Sequence, residues 1–178
     1  MTVIIVIVVV IVALGVIGYF ANVAEAAANA AARGSFIDPR DGKTYKTIKI
    51  GSQTWMAENL KYEAESSKSI NSEKYGLLYN WDTAMKACPE GWHLPSDAEW
   101  NKLINFSGGK EVAGKKLKAI SGWSDQYYKS GEWAGSGNGT DNYGFSARPG
   151  GYCYSDGKPF DLVDKIGVWW SSSGDTCH

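Results

Sequence analysis

Leu94-Pro95-Ser96-Asp97-Ala98-Glu99-Trp100 is the stretch that decides how this chain reads. Ser96 and Glu99 form an S-x-x-E capping box, in which each side chain accepts from the other residue's backbone N–H at a helix start. Trp100, Leu103 and Ile104 then share one helical face, so the spacing predicts a helix from about 97 to 106 lying against a core. Upstream, Asn80 can cap a short helix through Ala87 before Pro89 forbids continuation. Downstream of Gly108-Gly109 the chain turns Gly-rich. There Lys115 to Ala119 reads as a helical turn, with short strands near 144–147, 151–154 and 168–171.

Before the helices, Asp41-Gly42 is a turn signal and Lys43 to Ile50 alternates. Tyr45 and Thr47 fall on one face, and Lys46, Ile48 and Ile50 on the other. Gly51-Ser52 can make a tight two-residue turn into Gln53-Thr54-Trp55-Met56, which predicts a β-hairpin that carries Trp55 into the core. Residues 61–74 are polar and read as a solvated loop.

At 178 residues the chain has room for one core plus an appendage. Eight Trp, ten Tyr and 21 Gly point to a turn-rich domain held by large aromatic side chains, as in extracellular recognition modules. With 18 basic and 19 acidic residues the net charge is -1, so no field attracts nucleic acid, and none is expected as a partner. The three cysteines, Cys88, Cys153 and Cys177, form no C-x-x-C pair and permit one disulfide. Cys153–Cys177 is the favoured pairing, because it would tie down the C-terminal end.

The N-terminal segment is of another character. Every residue from Val3 to Val12 is Val or Ile, the apolar run continues through Phe20, and the first charge is Glu25. About 20 apolar residues at roughly 1.5 Å each span the hydrocarbon core of a bilayer. Ala21 to Arg33 is then rich in alanine, which predicts one continuous helix of about 33 residues. The expected division is therefore 1–34, an assembly or anchor helix, and 35–178, a globular domain. Val3, Ile7, Val10, Leu14, Ile17, Ala27 and Ala31 are the candidate assembly positions.

A cleaved signal peptide, a lone membrane anchor and the core helix of a filament compete as readings of this segment. No Lys or Arg precedes the apolar run, which disfavours the signal peptide and suggests that a basic leader has already been removed. The segment resembles, in composition, the N-terminal helix of mature type IV pilins. It departs from them at Ile5, where those pilins carry a glutamate. The resemblance implies a homo-oligomer joined through N-terminal helices, held in the inner membrane before assembly and extracellular after it.

The globular part presents its motifs in a recognisable order: Asp41-Gly42-Lys43-Thr44-Tyr45, Trp55-Met56-Ala57-Glu58-Asn59-Leu60, Tyr75-Gly76-Leu77-Leu78-Tyr79, Ala87 to Pro95, Asp141 to Ala147, and Trp169-Trp170-Ser171-Ser172. It resembles the Fibrobacter succinogenes major paralogous domain, found in surface and secreted bacterial proteins, over about residues 35–173. The resemblance implies a C-type-lectin-like fold related to that of formylglycine-generating enzymes. The fold class expected is thus α+β: a long N-terminal helix, then a small lectin-like domain of short strands, two short helices and long loops. Family members run past the Trp-Trp-Ser-Ser strand to a closing segment that does not follow in this chain, which suggests an open edge or a second chain supplying strands.

No catalysis is expected. His93 and His178 stand in no nucleophile motif, the cysteines used by formylglycine-generating relatives have no counterpart, and the apolar neighbours of His93 predict a buried structural ring. Asp125, Asp141, Asn142, Asp156, Asp161 and Asp164 lie in Gly-rich loops and could gather oxygen ligands for Ca²⁺, although turn formation is the commoner use and no cofactor is expected. Trp123, Tyr127, Tyr128 and Trp133 cluster in a segment too polar for a core. They are candidates to stack on sugar rings or anchor a protein, against the equal alternative that they pack a long loop. The expected function is that of a structural subunit of an extracellular pilus-like filament displaying a surface domain. A membrane-anchored binding module for carbohydrate or protein is the alternative.

Overall fold

The computed structural model describes residues 32–68, 71–127, 129–153 and 162–174. The chain divides between Arg33 and Gly34, and the architecture that follows is that of the second unit.

Strands β1 (Arg33–Ile37), β2 (Thr44–Ile50) and β3 (Gln53–Met56) form a three-stranded sheet in that order. β2 and β3 make the antiparallel hairpin that the alternation predicts, with Ile50 opposite Gln53 across the turn. Gly51 supplies the positive φ, 60°, that such a tight turn needs. β2 is the central strand and is covered on both faces, with Tyr45 fully buried on one and Ile48 and Ile50 on the other. Phe36 stacks on the Tyr45 ring at 5.5 Å and on Trp92 at 4.7 Å. The turn after β1 is fixed by Asp38, a wholly buried carboxylate that accepts from the Arg40 guanidinium at 2.6 Å. That pairing holds the Asp38 carboxyl below its ordinary range and compensates its burial.

Four short helices follow: α1 (Ser72–Tyr75), α2 (Trp81–Ala87), α3 (Asp97–Phe106) and α4 (Lys110–Leu117). Asn80 caps α2 by accepting from the Thr83 N–H at 2.8 Å. Ser96 and Glu99 form both halves of the capping box on α3, whose Trp100 and Leu103 are buried. α4 lies against α3 and buries Ala113 and Leu117, with Glu111 in its first turn and Lys115 and Lys116 in its last, each sign suited to the helix dipole. A small hairpin, β4 (Gln126–Tyr127) with β5 (Trp133–Gly135), completes the elements.

These elements correct the expected fold class. The described residues form a small mixed α/β domain with four helices in place of a lectin-like α+β domain with two. Of Lys115–Ala119, read as one turn, Lys115 to Leu117 are the end of a helix that begins at Lys110, and Lys118 and Ala119 lie beyond it. The strands read near 144–147, 151–154 and 168–171 reduce, among the described residues, to single bridges such as Lys118 with Ala147 and Gly151 with Gly167. The long N-terminal helix falls on residues outside those described, apart from its end: Ala32 is in a turn, and Arg33 and Gly34 already belong to β1. Among the described residues no helix is long and apolar enough to cross a membrane.

With so few ladders, the loops are tied by tryptophan. The indole N–H of Trp81 donates to the Ser171 carbonyl at 2.9 Å, Trp100 to the Trp170 carbonyl at 3.2 Å, and Trp123 to the Ala147 carbonyl at 3.0 Å. Trp170 donates to the Tyr79 carbonyl at 2.7 Å, and Trp169 to the Asn59 side chain at 3.0 Å. Each bond gives a loop carbonyl or amide the partner that a strand neighbour would otherwise supply, while the ring buries apolar area.

Candidate functional site

The tryptophan ties leave a cleft of about 660 Å³ between β3, α3 and the Trp169-Trp170 segment. Its lining includes a cluster of three rings, Trp55, Trp100 and Phe145. Trp55 lies 5.0 Å from Trp100 and 5.8 Å from Phe145 between ring centroids. Leu77, Leu78 and Tyr79 contribute to the wall from the segment after α1, and Trp92 to Pro95 from the turn before α3. Trp169 and Trp170 contribute from the last described segment. All four residues of β3 line it.

Several polar groups of the cleft already have partners. Glu99 accepts from the Ser96 backbone N–H and hydroxyl, both at 2.8 Å, and His93 Nε2 lies 2.8 Å from its other oxygen. The Ser96 backbone bond, with His93 and the Ser96 hydroxyl behind it, brings the Glu99 carboxyl down to about 2. Tyr79 donates to the Tyr62 carbonyl at 2.7 Å, and burial pushes its phenol well above the ordinary range. Burial likewise pushes the Cys88 thiol up, away from the thiolate that a nucleophile requires. One polar atom stands apart: Trp55 Nε1 is buried with no hydrogen-bond partner among the described residues.

The structure separates the aromatic residues singled out from sequence. Tyr127 and Trp133 are cross-strand partners on β4 and β5, and both stand more than half exposed, at 63% and 62%. The register shifts between Gln126 and Tyr127, and the two opposed residues make an exposed aromatic pair beside that irregularity. Trp123 is not part of it. Its indole is bonded to Ala147, the Lys118 ammonium sits 4.5 Å over its ring, and it packs the loop down. Tyr128 lies outside the described residues, as do Cys177 of the expected disulfide and the assembly positions Val3, Ile7, Val10, Leu14, Ile17, Ala27 and Ala31. His93 is not buried as predicted, since 71% of its side chain is exposed at the cleft rim.

The oxygen-bearing loop residues do not converge. Asp141, at φ 46°, accepts from the Ser146 N–H and hydroxyl, and Asp164 binds the Tyr75 hydroxyl and, at 3.2 Å, Lys74. The Asp141 carboxylate holds a local turn, the role Asp and Asn commonly fill, whereas that of Asp164 ties its segment to α1. Among the described residues no three His, Cys, Asp or Glu side chains gather to hold a metal, and Asp156 and Asp161 lie outside them.

Sequence reasoning assigned Trp55 and Trp100 to the core and did not find the cleft, because five separate segments build it. The Trp169-Trp170 pair was the available signal, because both of its adjacent indoles line the cleft.

Residues 48–177 match the family described as the Fibrobacter succinogenes major domain. The match begins inside β2, later than the motif order suggests, and reaches beyond the Trp-Trp-Ser-Ser segment. No curated protein and no solved structure matches the chain.

Proposed function

This chain belongs to the Fibrobacter succinogenes major domain family, and on that premise we propose that it is a cell-surface display protein. Its copies assemble into a pilus-like filament through the apolar segment Val3–Phe20 and present the domain from Gly34 onward as a binding head. The observation that carries this reading is the length of that run: no charged side chain occurs before Glu25, and so much Val and Ile must be covered by lipid or by other copies. The Ala-rich stretch after it keeps side chains small, which favours close approach of neighbouring chains.

A binding role for the head, rather than catalysis, is supported by the state of its polar groups. Of the two carboxylates that line the cleft, Glu99 is committed to a helix cap and Glu58 is paired with Lys46 at 3.6 Å, and Tyr79 and Cys88 are held protonated by burial. The apolar floor and the exposed Tyr127–Trp133 pair offer surface for recognition. That pair also favours a second reading, a membrane-anchored module that binds carbohydrate or protein without assembling.

Electron microscopy of material sheared from the cell surface, with mass spectrometry to identify this polypeptide, separates the two. Filaments of regular diameter that contain the chain are expected. Recovery solely from detergent-solubilised membrane would refute assembly and leave the anchored module.

A further inference from the structure

We infer that the cleft receives an extended segment of another polypeptide, which pairs with β3 as a fourth strand of the sheet. This rests on reading the cleft as a binding site, and it specifies the partner's chemistry.

The first observation is one of periodicity. Successive side chains of a strand point to opposite faces, so a cleft over one face of β3 would be lined by alternate residues. Gln53, Thr54, Trp55 and Met56 all line this cleft. The cleft therefore runs along the edge of the strand, and β3 is an edge strand of its sheet.

The second observation is which backbone groups face that edge. The Ala57 N–H donates to the Lys46 carbonyl at 2.9 Å, which makes Ala57–Lys46 a hydrogen-bonded pair. Bonded and non-bonded pairs alternate in an antiparallel ladder, so Trp55–Ile48 and Gln53–Ile50 are bonded pairs as well. Thr54 and Met56 then direct their N–H and C=O groups away from β2 and toward the cleft. Among the described residues, no backbone hydrogen bond joins β3 to anything but β2 and its turn. A row of unpaired donors and acceptors beside an apolar trough is a template for an added strand.

The third observation is Trp55. Its buried indole N–H lacks an acceptor among the described residues, in a domain where five other indoles have one. An entering backbone carbonyl is the group this site is short of.

A second copy of this domain does not fit the requirement. A second copy would have to bring one of its strands together with the sheet behind it, and a trough of about 660 Å³ takes a short strand but not the edge of another sheet. The occupant is an extended segment with apolar residues at alternate positions, which meet the aromatic floor.

The test joins such a segment to the full chain. Trp170 already lines the cleft, so a flexible Gly/Ser linker followed by about six residues of alternating Val and Thr, appended after His178, holds the strand at millimolar effective concentration. A control carries proline at the pairing positions, where the donor is lost. Amide hydrogen exchange at Thr54 and Met56 is expected to slow at least about tenfold relative to the control, with Gln53 and Trp55 unchanged. Equal exchange in the two proteins, with tryptophan emission shifted in both, would overturn strand addition but leave a binding cleft. Equal exchange with unshifted emission would overturn both.

Discussion

Replacing Glu99 by Gln removes a charge from the capping box while keeping the shape of the side chain, and its effect should depend on pH in a defined way. The Glu99 carboxyl falls from an ordinary 4.5 to about 2, first because the Ser96 backbone N–H donates to it. A group whose pKa is lower in the folded state stabilises that state fully above its unfolded pKa. The contribution is therefore complete above about pH 4.5 and is lost as the pH falls toward 2. At about 1.4 kcal/mol per pH unit the full displacement would correspond to about 3 kcal/mol. With 35% of the side chain exposed, solvent screening roughly halves that, to ~1.5 kcal/mol, within the range of a helix cap. Urea unfolding of the full chain in mild detergent, followed by tryptophan emission, should show E99Q less stable by ~1.5 kcal/mol at pH 7. The gap should narrow on acidification, to about a quarter of its pH 7 value by about pH 2.5. A gap that stays constant from pH 7 to pH 2.5 would refute the charge-based account, and equal stability at pH 7 would refute the cap itself.

The other predictions concern packing and the indole ties. A Cβ on Gly139 would collide with the Lys118 backbone carbonyl, so Gly139→Ala should cost ~2–4 kcal/mol, whereas Gly114→Ala, in open space within α4, should stabilise by ~0.5–1 kcal/mol. The same urea titration reads both. Trp170→Phe keeps a ring but leaves the Tyr79 carbonyl without its 2.7 Å donor. It should cost ~1–2 kcal/mol, and a smaller loss than about 0.5 kcal/mol would mean that water replaces the indole.

What the sequence makes legible here is what is encoded within a few residues. The capping box at Ser96 and Glu99, the Asn80 cap and the hairpin turn at Gly51-Ser52 each depend on neighbours at most three positions away, and each stands where the pattern places it. Burial by distant partners is not encoded locally. Polar neighbours made Trp123 look exposed, yet its indole finds the Ala147 carbonyl 24 residues away. Apolar neighbours made His93 look buried, yet the turn sends its ring to the rim and onto Glu99. α4 was foreshortened because Gly109 precedes it without a side-chain cap, so its start carried no signal. The cleft has the same origin, since Trp55, Leu78, Trp92, Phe145 and Trp170 meet only after the chain has folded.

The indole ties also set an order of events. Asn59, Tyr79, Trp81 and Trp100 are each bonded to a residue between 169 and 171, at separations of 70 to 110 residues. None of those bonds can form while the later residues are still inside a ribosome or a translocation channel. The hairpin and the capped helices can appear early, but the domain locks only when Ser171 has emerged, because contacts this distant in sequence come late. Until Ser171 emerges, the segments around Asn59, Tyr79, Trp81 and Trp100 wait without the partners that tie them, so the domain closes from its later residues back onto its earlier ones.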